Sequence, residues 1–312
     1  MIITVTMNPA IDKTAKTGAI KPGGLNRLDD VITDAGGKGI NVSKMIKALG
    51  MESVATGFLG GGAGREIKSL LRRQNIKNDF IAINQTTRTN LKVLSEDYGI
   101  TEFNEPGAKV TAGEMAALHD KLMIYAAPGV IFVFSGSLPR GAAVDTYYRL
   151  ACDVKDMGAS VFIDADGEAF SAALEAKPDY IKPNKFELMQ YFGIKDDPSP
   201  EKCAELCGRL IEKGVRTAAI SMGRHGALFA TRDTTLYAPG LPVRALSTVG
   251  AGDCMVGALA CAFEKRLRLR DAAVLAMAAS AGAVTTQGTK PPTKSLVDEL
   301  KPLVKLIKIE SK

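Results

Sequence analysis

Val130-Ile131-Phe132-Val133-Phe134-Ser135-Gly136-Ser137-Leu138-Pro139 opens with five apolar residues and stops in a turn. A short run that is apolar at every position reads as a strand covered on both faces. Outward from it, 142–157 has helical spacing and Ser160–Asp164 is a second apolar run. A helix over 167–176 then leads to a third strand at Tyr180–Lys182. Strands that alternate with helices need crossover connections and therefore pair in parallel. The rhythm continues in both directions, with strands at 2–6, 54–59 and 216–221 and helices at 112–125, 200–213, 254–264, 271–285 and 293–305. The spacing predicts an α/β fold with a doubly wound, mostly parallel sheet.

Two stretches break the rhythm. Lys13–Thr17 and Arg27–Thr33 are short, polar on both faces, and split by Lys21-Pro22-Gly23-Gly24. Residues 80–105 alternate like strands, at Phe80-Ile81-Ala82-Ile83, Arg88–Leu94 and Ile100–Phe103. Together they predict a small sheet of four or five strands on the edge of the body, a lid formed by about 12–35 and 86–106 within a single 1–312 domain. Arg88, Asn90 and Lys92 alternate with Thr89, Leu91 and Val93, so the three polar side chains share a face. Such a face is either plainly solvated or closes over an anion.

Bulk properties narrow the function. The 312 residues are 46% hydrophobic and 24% charged, an ordinary globular composition with a large core. Forty basic against thirty-four acidic residues give +6, a modest excess that suits anionic substrates. With no dense Lys/Arg run and 6% aromatics, a nucleic-acid partner is not expected. The five cysteines, 152, 203, 207, 254 and 261, sit mostly in apolar helical runs, as reduced intracellular thiols do. The first residues read as a strand and not as a signal peptide, and the longest apolar run, Ala272–Val284, is too short to span a bilayer. A cytoplasmic protein with no membrane partner is expected.

Chemistry gathers where glycines meet helix starts. In Ser247-Thr248-Val249-Gly250-Ala251-Gly252-Asp253-Cys254-Met255, Gly250, Ala251 and Gly252 let another molecule approach the backbone at the start of helix 254–264. Unpaired N–H groups and the positive end of the helix dipole suit an oligophosphate there. Asp253 is either a cap or a base that takes a proton from an attacking hydroxyl. Gly36-Gly37-Lys38-Gly39-Ile40-Asn41 repeats the arrangement with Lys38 and Asn41, and is not a Walker A loop. Asn184 and Glu187 lie three apart at a helix start, where they can share Mg²⁺ through water or form a capping box. Asn8 and Asp12 follow the first strand, on the side where α/β sheets bind ligands.

Taken in order, Asp12, Gly36-Gly37-Lys38-Gly39-Ile40-Asn41, Thr87-Arg88-Thr89-Asn90, Ser135-Gly136-Ser137-Leu138-Pro139, Lys182-Pro183-Asn184 with Glu187, Ser221-Met222-Gly223 and Gly250-Ala251-Gly252-Asp253 resemble the ribokinase/PfkB carbohydrate kinases from residue 1 to about 291. Thr4–Asp12 with the glycine-rich 36–41 stretch is similar to the phosphosugar branch of that family. The resemblance implies a three-layer α/β/α ribokinase-like body with a β lid, often buried lid-to-lid in a homodimer. It implies ATP and Mg²⁺ as cofactors and a phosphorylated ketohexose as substrate. Asp253 would be the base, with Gly250, Ala251 and Gly252 forming the anion hole. Asp12, Gly37, Asn41, Asn90 and Lys92 would meet the sugar, and Lys38, Arg88 and Ser137 its phosphate. Lys182, Asn184, Ser221, Gly223, Gly226, Thr248, Ala283, Thr286 and Gly288 would hold the nucleotide, with Asn184 and Glu187 positioning Mg²⁺.

Departures from the family pattern also carry expectations. Cys254 stands where Ser or Thr is usual, either as a packing change or as a thiol sensitive to alkylation. Ser247 and Val249 replace residues that hold a monovalent cation, which argues against K⁺ dependence. Arg140 stands where a small residue is usual, and either adds a phosphate contact or faces solvent. Lys92 with Thr101-Glu102 before Asn104 resembles the 1-phosphofructokinase pattern, while tagatose-6-phosphate kinase, the minor 6-phosphofructokinase and a non-catalytic sugar-phosphate sensor remain open.

Overall fold

The computed structural model describes residues 1–286 and 288–309. Its main sheet starts from β1 (Ile2–Thr6), whose five residues are all buried, flanked by β4 (Ser53–Gly60) and β9 (Ile131–Ser135), both parallel to it. Burial on both faces is the reason these strands read as unbroken apolar runs. From β9 the sheet continues in parallel through β10 (Ser160–Asp164), β11 (Tyr180–Ile181) and β12 (Thr217–Ser221). It ends antiparallel with β13 (Ala227–Ala230), β14 (Thr235–Ala238) and β15 (Ile307–Ile309). Two short strands, β5 (Lys77–Asn78) and β6 (Ile81–Ile83), add to β4 in parallel.

Helices cover both faces. One layer holds α1 (Lys38–Ala48), α8 (Ala251–Glu264), α9 (Leu269–Ala283) and α10 (Lys294–Leu300). The other holds α3 (Ala112–Tyr125), α4 (Thr146–Asp156), α5 (Gly167–Leu174), α6 (Lys185–Phe192) and α7 (Pro200–Glu212). Between β4 and β5, α2 (Gly61–Arg73) packs Ile67 and Leu71 against Ile11, Ala35 and Leu59. The first layer is packed very closely. A Cβ on Gly257 of α8 would lie 2.8 Å from Met45 Cβ of α1, and one on Gly39 would lie 2.4 Å from Thr6 Oγ1. Only glycine lets α1 sit this near both β1 and α8.

A second sheet has the order β3-β2-β7-β8, from β2 (Ala10–Lys16), β3 (Asp29–Gly36), β7 (Arg88–Ser95) and β8 (Gly99–Asn104). It has four strands. Ile81–Ile83, expected with this group, pairs with β4 of the main sheet instead, because its apolar side chains cover the body's edge. β15, at the far edge, was not foreseen. The last helix also stops at Leu300, earlier than the expected 305, since Pro302 follows in a 3₁₀ turn.

Candidate active site

The carboxyl ends of β1, β9 and β10 place Thr6, Ser135 and Asp164 side by side in register. Over this row the N-termini of α1 and α8 converge. Asn41, in the first turns of α1, donates from Nδ2 to Asp253 Oδ2 at 2.8 Å. Asp253 is therefore held by a side chain from another helix, and no side-chain bond caps α8. Gly250 precedes the helix at φ 82°, the left-handed region that glycine occupies without strain. The amides of Gly252 and Asp253 then fall in the first turn, where a helix leaves N–H groups without partners, while that of Ala251 donates at 3.5 Å to the Thr248 carbonyl. A Cβ on Gly252 would lie 3.5 Å from Lys182 Nζ, so a cation stands directly beside these amides.

The electrostatics centre on Asp164, a residue that the sequence reading left as the mere end of a strand. It is buried, and both its oxygens lack a well-formed hydrogen bond among the described residues. Two lysines approach Oδ1, Lys182 at 3.2 Å and Lys38 at 3.6 Å. Burial opposes its ionisation, yet Lys182 and Lys38 hold its carboxyl below the usual range. Asp164, with lesser help from Glu187 and Asp253, pushes the Lys38 ammonium up. Burial, then the Asp164 charge, raises Asp253 to about 6, against the Asn41 hydrogen bond and the two lysines. A carboxylate tuned towards neutrality suits a general base working near pH 7.

Lys38, Asp164, Lys182, Asn184, Glu187, Thr248 and Asp253 line one cleft of about 470 Å³, together with Ser221, Gly223 and Gly226. Asn184 and Glu187 form the capping box of α6: Asn184 Oδ1 accepts from the Glu187 amide and Glu187 Oε2 from the Asn184 amide, both at 2.8 Å. This takes up the Asn184 carbonyl and leaves Glu187 Oε1. Burial raises the Glu187 carboxyl. Asp164 and Glu187 supply hard oxygen donors, and an orphaned, buried carboxylate between two lysines fits a bound Mg²⁺–phosphate group.

Three residues expected at the nucleotide, Ala283, Thr286 and Gly288, do not line this cleft. On α9 the cleft is lined by Met277, Ser280, Ala281 and Val284, at helical i, i+3, i+4 and i+7 spacing. Ala283 therefore points into the core, only 2% exposed. Thr286 Oγ1 donates to the carbonyls of Ala283 and Lys290, closing the turn after α9. Gly288 lines the lid side of the molecule.

On that side, Asp12 accepts from Asn90 Nδ2 at 2.9 Å and lies against Gly36, where a Cβ would come within 2.4 Å of its carboxylate. Arg88 donates to the carbonyls of Asn8 and Glu105, both at 3.1 Å, and Asn8 in turn donates to Ser137 Oγ. Lys38, expected on the sugar's phosphate, instead reaches Asp164 in the nucleotide cleft. Arg140 is exposed to solvent, the second of its two expected roles, with its Nε donating to the Gly107 carbonyl at 3.0 Å. Cys254 is buried and burial pushes its thiol up, which removes the expected reactivity to alkylation.

Comparison with known proteins agrees with this geometry. The description "pfkB family carbohydrate kinase" matches residues 2–296. The chain is 34% identical over 309 residues to 1-phosphofructokinase of Bacillus subtilis, covering 99% of this chain and all of that one. It is 32% identical over 280 residues to D-tagatose-1-phosphate kinase of Bacillus licheniformis, covering 88% and 91% of the two chains. Phosphofructokinase-2 of Escherichia coli, solved with substrates and products, superposes with a TM-score of 0.92 at 29% identity, over 97% of this chain and 98% of that one. No helix among the described residues is long and apolar enough to cross a membrane. A family match over nearly the whole length, on a ribokinase-like fold whose buried aspartate faces a helix N-terminus, has one reading: the chain belongs to the pfkB family of carbohydrate kinases.

Proposed function

We propose that this kinase transfers a phosphoryl group from ATP to fructose 1-phosphate, giving fructose 1,6-bisphosphate. The observation that carries the reading is Asp253, buried, held by Asn41 and set beside the open amides of α8 and Lys182. Asp253 accepts the proton of the sugar hydroxyl as that oxygen attacks. The first-turn amides with Lys182 hold the charge that builds on the transferred group. Asp12 and Asn90, with Gly37 and Asn41, orient the hydroxyls, and the lid excludes water that would compete as acceptor. A carbohydrate kinase of this family uses ATP with a metal ion. Mg²⁺ suits the carboxylates of Asp164 and Glu187, where it would neutralise phosphate charge. ATP use and five free cysteines fit a cytoplasmic setting.

The lid sheet leaves Val31, Tyr98, Ile100 and Phe103 largely exposed. An apolar sheet of this kind fits a homodimer through the lid. A tagatose phosphate is the second reading, favoured by the kinase of Bacillus licheniformis described above. The test is ADP release with ATP and Mg²⁺ against fructose 1-phosphate, fructose 6-phosphate, tagatose 1-phosphate and tagatose 6-phosphate in parallel. Preference for fructose 1-phosphate supports the proposal, preference for a tagatose phosphate selects the second reading, and no turnover overturns both and restores the sensor.

A further inference from the structure

Three hydroxyls meet where α1 crosses the main sheet. Ser43 of α1 has its Oγ 2.7 Å from Thr4 Oγ1 on β1 and 2.8 Å from Ser53 Oγ on β4. All three residues are buried, Thr4 and Ser43 completely. Register opposes Ile2 to Ser53 and Thr4 to Ala55, so the chain of hydroxyls runs diagonally over the β1–β4 pair with α1 as its middle link. Around it α1 packs through Val42, Met45 and Ile46, with Gly39 against Thr6 and Gly257 of α8 against Met45. Apolar burial of this kind is strong but has no direction. A hydrogen bond weakens steeply as its angle closes down, so it also fixes rotation about the helix axis and position along it. Apolar side chains of the same shape in place of all three hydroxyls would be about as stable. Stability alone therefore does not account for the three; fixed placement does.

Asn41 stands two residues before Ser43, about 3 Å along the axis and about 200° around it. Ser43 thus meets the sheet while Asn41 is turned to α8, where its Nδ2 donates to Asp253 Oδ2 at 2.8 Å. A side-chain amide lies about 5 Å from the helix axis, so a rotation of about 10° moves it by about 1 Å, enough to break such a bond. We propose that Ser43 is a positioning residue for the reaction: through Thr4 and Ser53 it locks α1 to the sheet in the one placement that aims Asn41 at Asp253. The inference rests on the kinase reading, in which Asp253 is the base.

The test compares Ser43→Ala with the triple variant Thr4→Val, Ser43→Ala, Ser53→Ala. The single change leaves two buried hydroxyls without their partner and should lower the melting temperature followed by circular dichroism. The triple change makes the whole cluster apolar and should recover most of that stability. In both variants kcat should still fall about tenfold, as misalignment remote from the chemistry does. The acid limb of the kcat profile should move to higher pH, because the Asn41 bond is among the contacts that hold the Asp253 carboxyl down. In an Asn41→Ala background, Ser43→Ala should lower kcat no further, since its effect passes through that residue. A crystal structure of the triple variant should show Asn41 drawn away from Asp253. Recovery of kcat together with stability, the same loss of kcat with and without Asn41, or an unchanged 2.8 Å contact in that crystal structure overturns the proposal. The kinase reading fails separately, if the wild type releases no ADP with any of the four sugar phosphates; the crystal structure then still decides whether Ser43 aims Asn41.

Discussion

The two sheets of this molecule are built on opposite terms. β1 is buried at every residue, whereas β8 has a single half-buried residue and five exposed ones. The main sheet is completed by its own helices, down to glycines that admit α1 between β1 and α8. The lid packs most firmly at its root, where Ile11 and Ala35 meet α2, and at its outer edge Val31, Tyr98 and Phe103 are exposed. One sheet is finished by folding; the other is the one to which the proposed function gives a sugar and a second copy.

Four measurements probe that contrast. The largest effect belongs to the body. Asp253→Asn removes the proton acceptor and should lower kcat by about 10²- to 10⁴-fold. Its stability should move the other way. Asp253 has a folded-state pKa of about 6, above its ordinary value, so stability is lost as pH rises from about 4 through about 6. Asparagine does not ionise, and the variant should melt above the wild type at pH 7 and beyond; a lower melting temperature would show that the Asn41 contact outweighs burial.

Next comes the lid. Phe103→Asp places a charge on its exposed apolar face and should weaken self-association about 30-fold or more, as loss of a central contact does. Sedimentation equilibrium would read this as a change towards the 33.0 kDa monomer, with circular dichroism of the body unaltered. A wild type already monomeric at all concentrations would remove the dimer from the account. Gly257→Ala tests the closeness of α1 and α8. Overpacking against Met45 and Val42 should cost about 1–3 kcal/mol in urea unfolding and misalign Asn41 with Asp253. Unaltered stability and kcat would mean that the two helices part freely. The smallest effect is on pH dependence: kcat should fall about tenfold per unit below about pH 6 as Asp253 takes up its proton. A profile flat down to pH 4 would separate the base from this residue.

Much of the body was legible because its signals are local. Val130–Phe134 and Ser160–Asp164 are buried runs whose neighbours in sequence are their neighbours in the sheet, and the helices between them have periodic apolar faces. The Gly250–Asp253 turn was legible for the same reason, since glycine freedom and a helix start are written in consecutive residues. Asp164 was not. Its importance comes from Lys38 and Lys182, brought in from distant elements, and the only sequence signal was an acid at the carboxyl end of a strand. Ile81–Ile83 alternates like a lid strand but is recruited by the free edge of β4, a choice made by the body's need to cover that edge. At the end of α9 the cleft takes Ala281 and Val284 in place of the expected Ala283, whose side chain the helix turns into the core. That Arg88 is held by the Asn8 and Glu105 carbonyls depended on a junction that only the folded chain brings together.

One connection gives the lid a mechanical part. β3 runs directly into α1 through Gly37, at φ 111°, with no loop between them, and Lys44 of α1 reaches back to Asp34 and to the Ala35 carbonyl. The strand and the helix thus form one lever with a glycine fulcrum, and Asn41 rides on its short arm. A tilt of the lid would therefore be felt at the Asn41 amide and its bond to Asp253. Under the proposed function, a sugar unable to draw the lid down would leave that lever unturned and the base out of line with the hydroxyl.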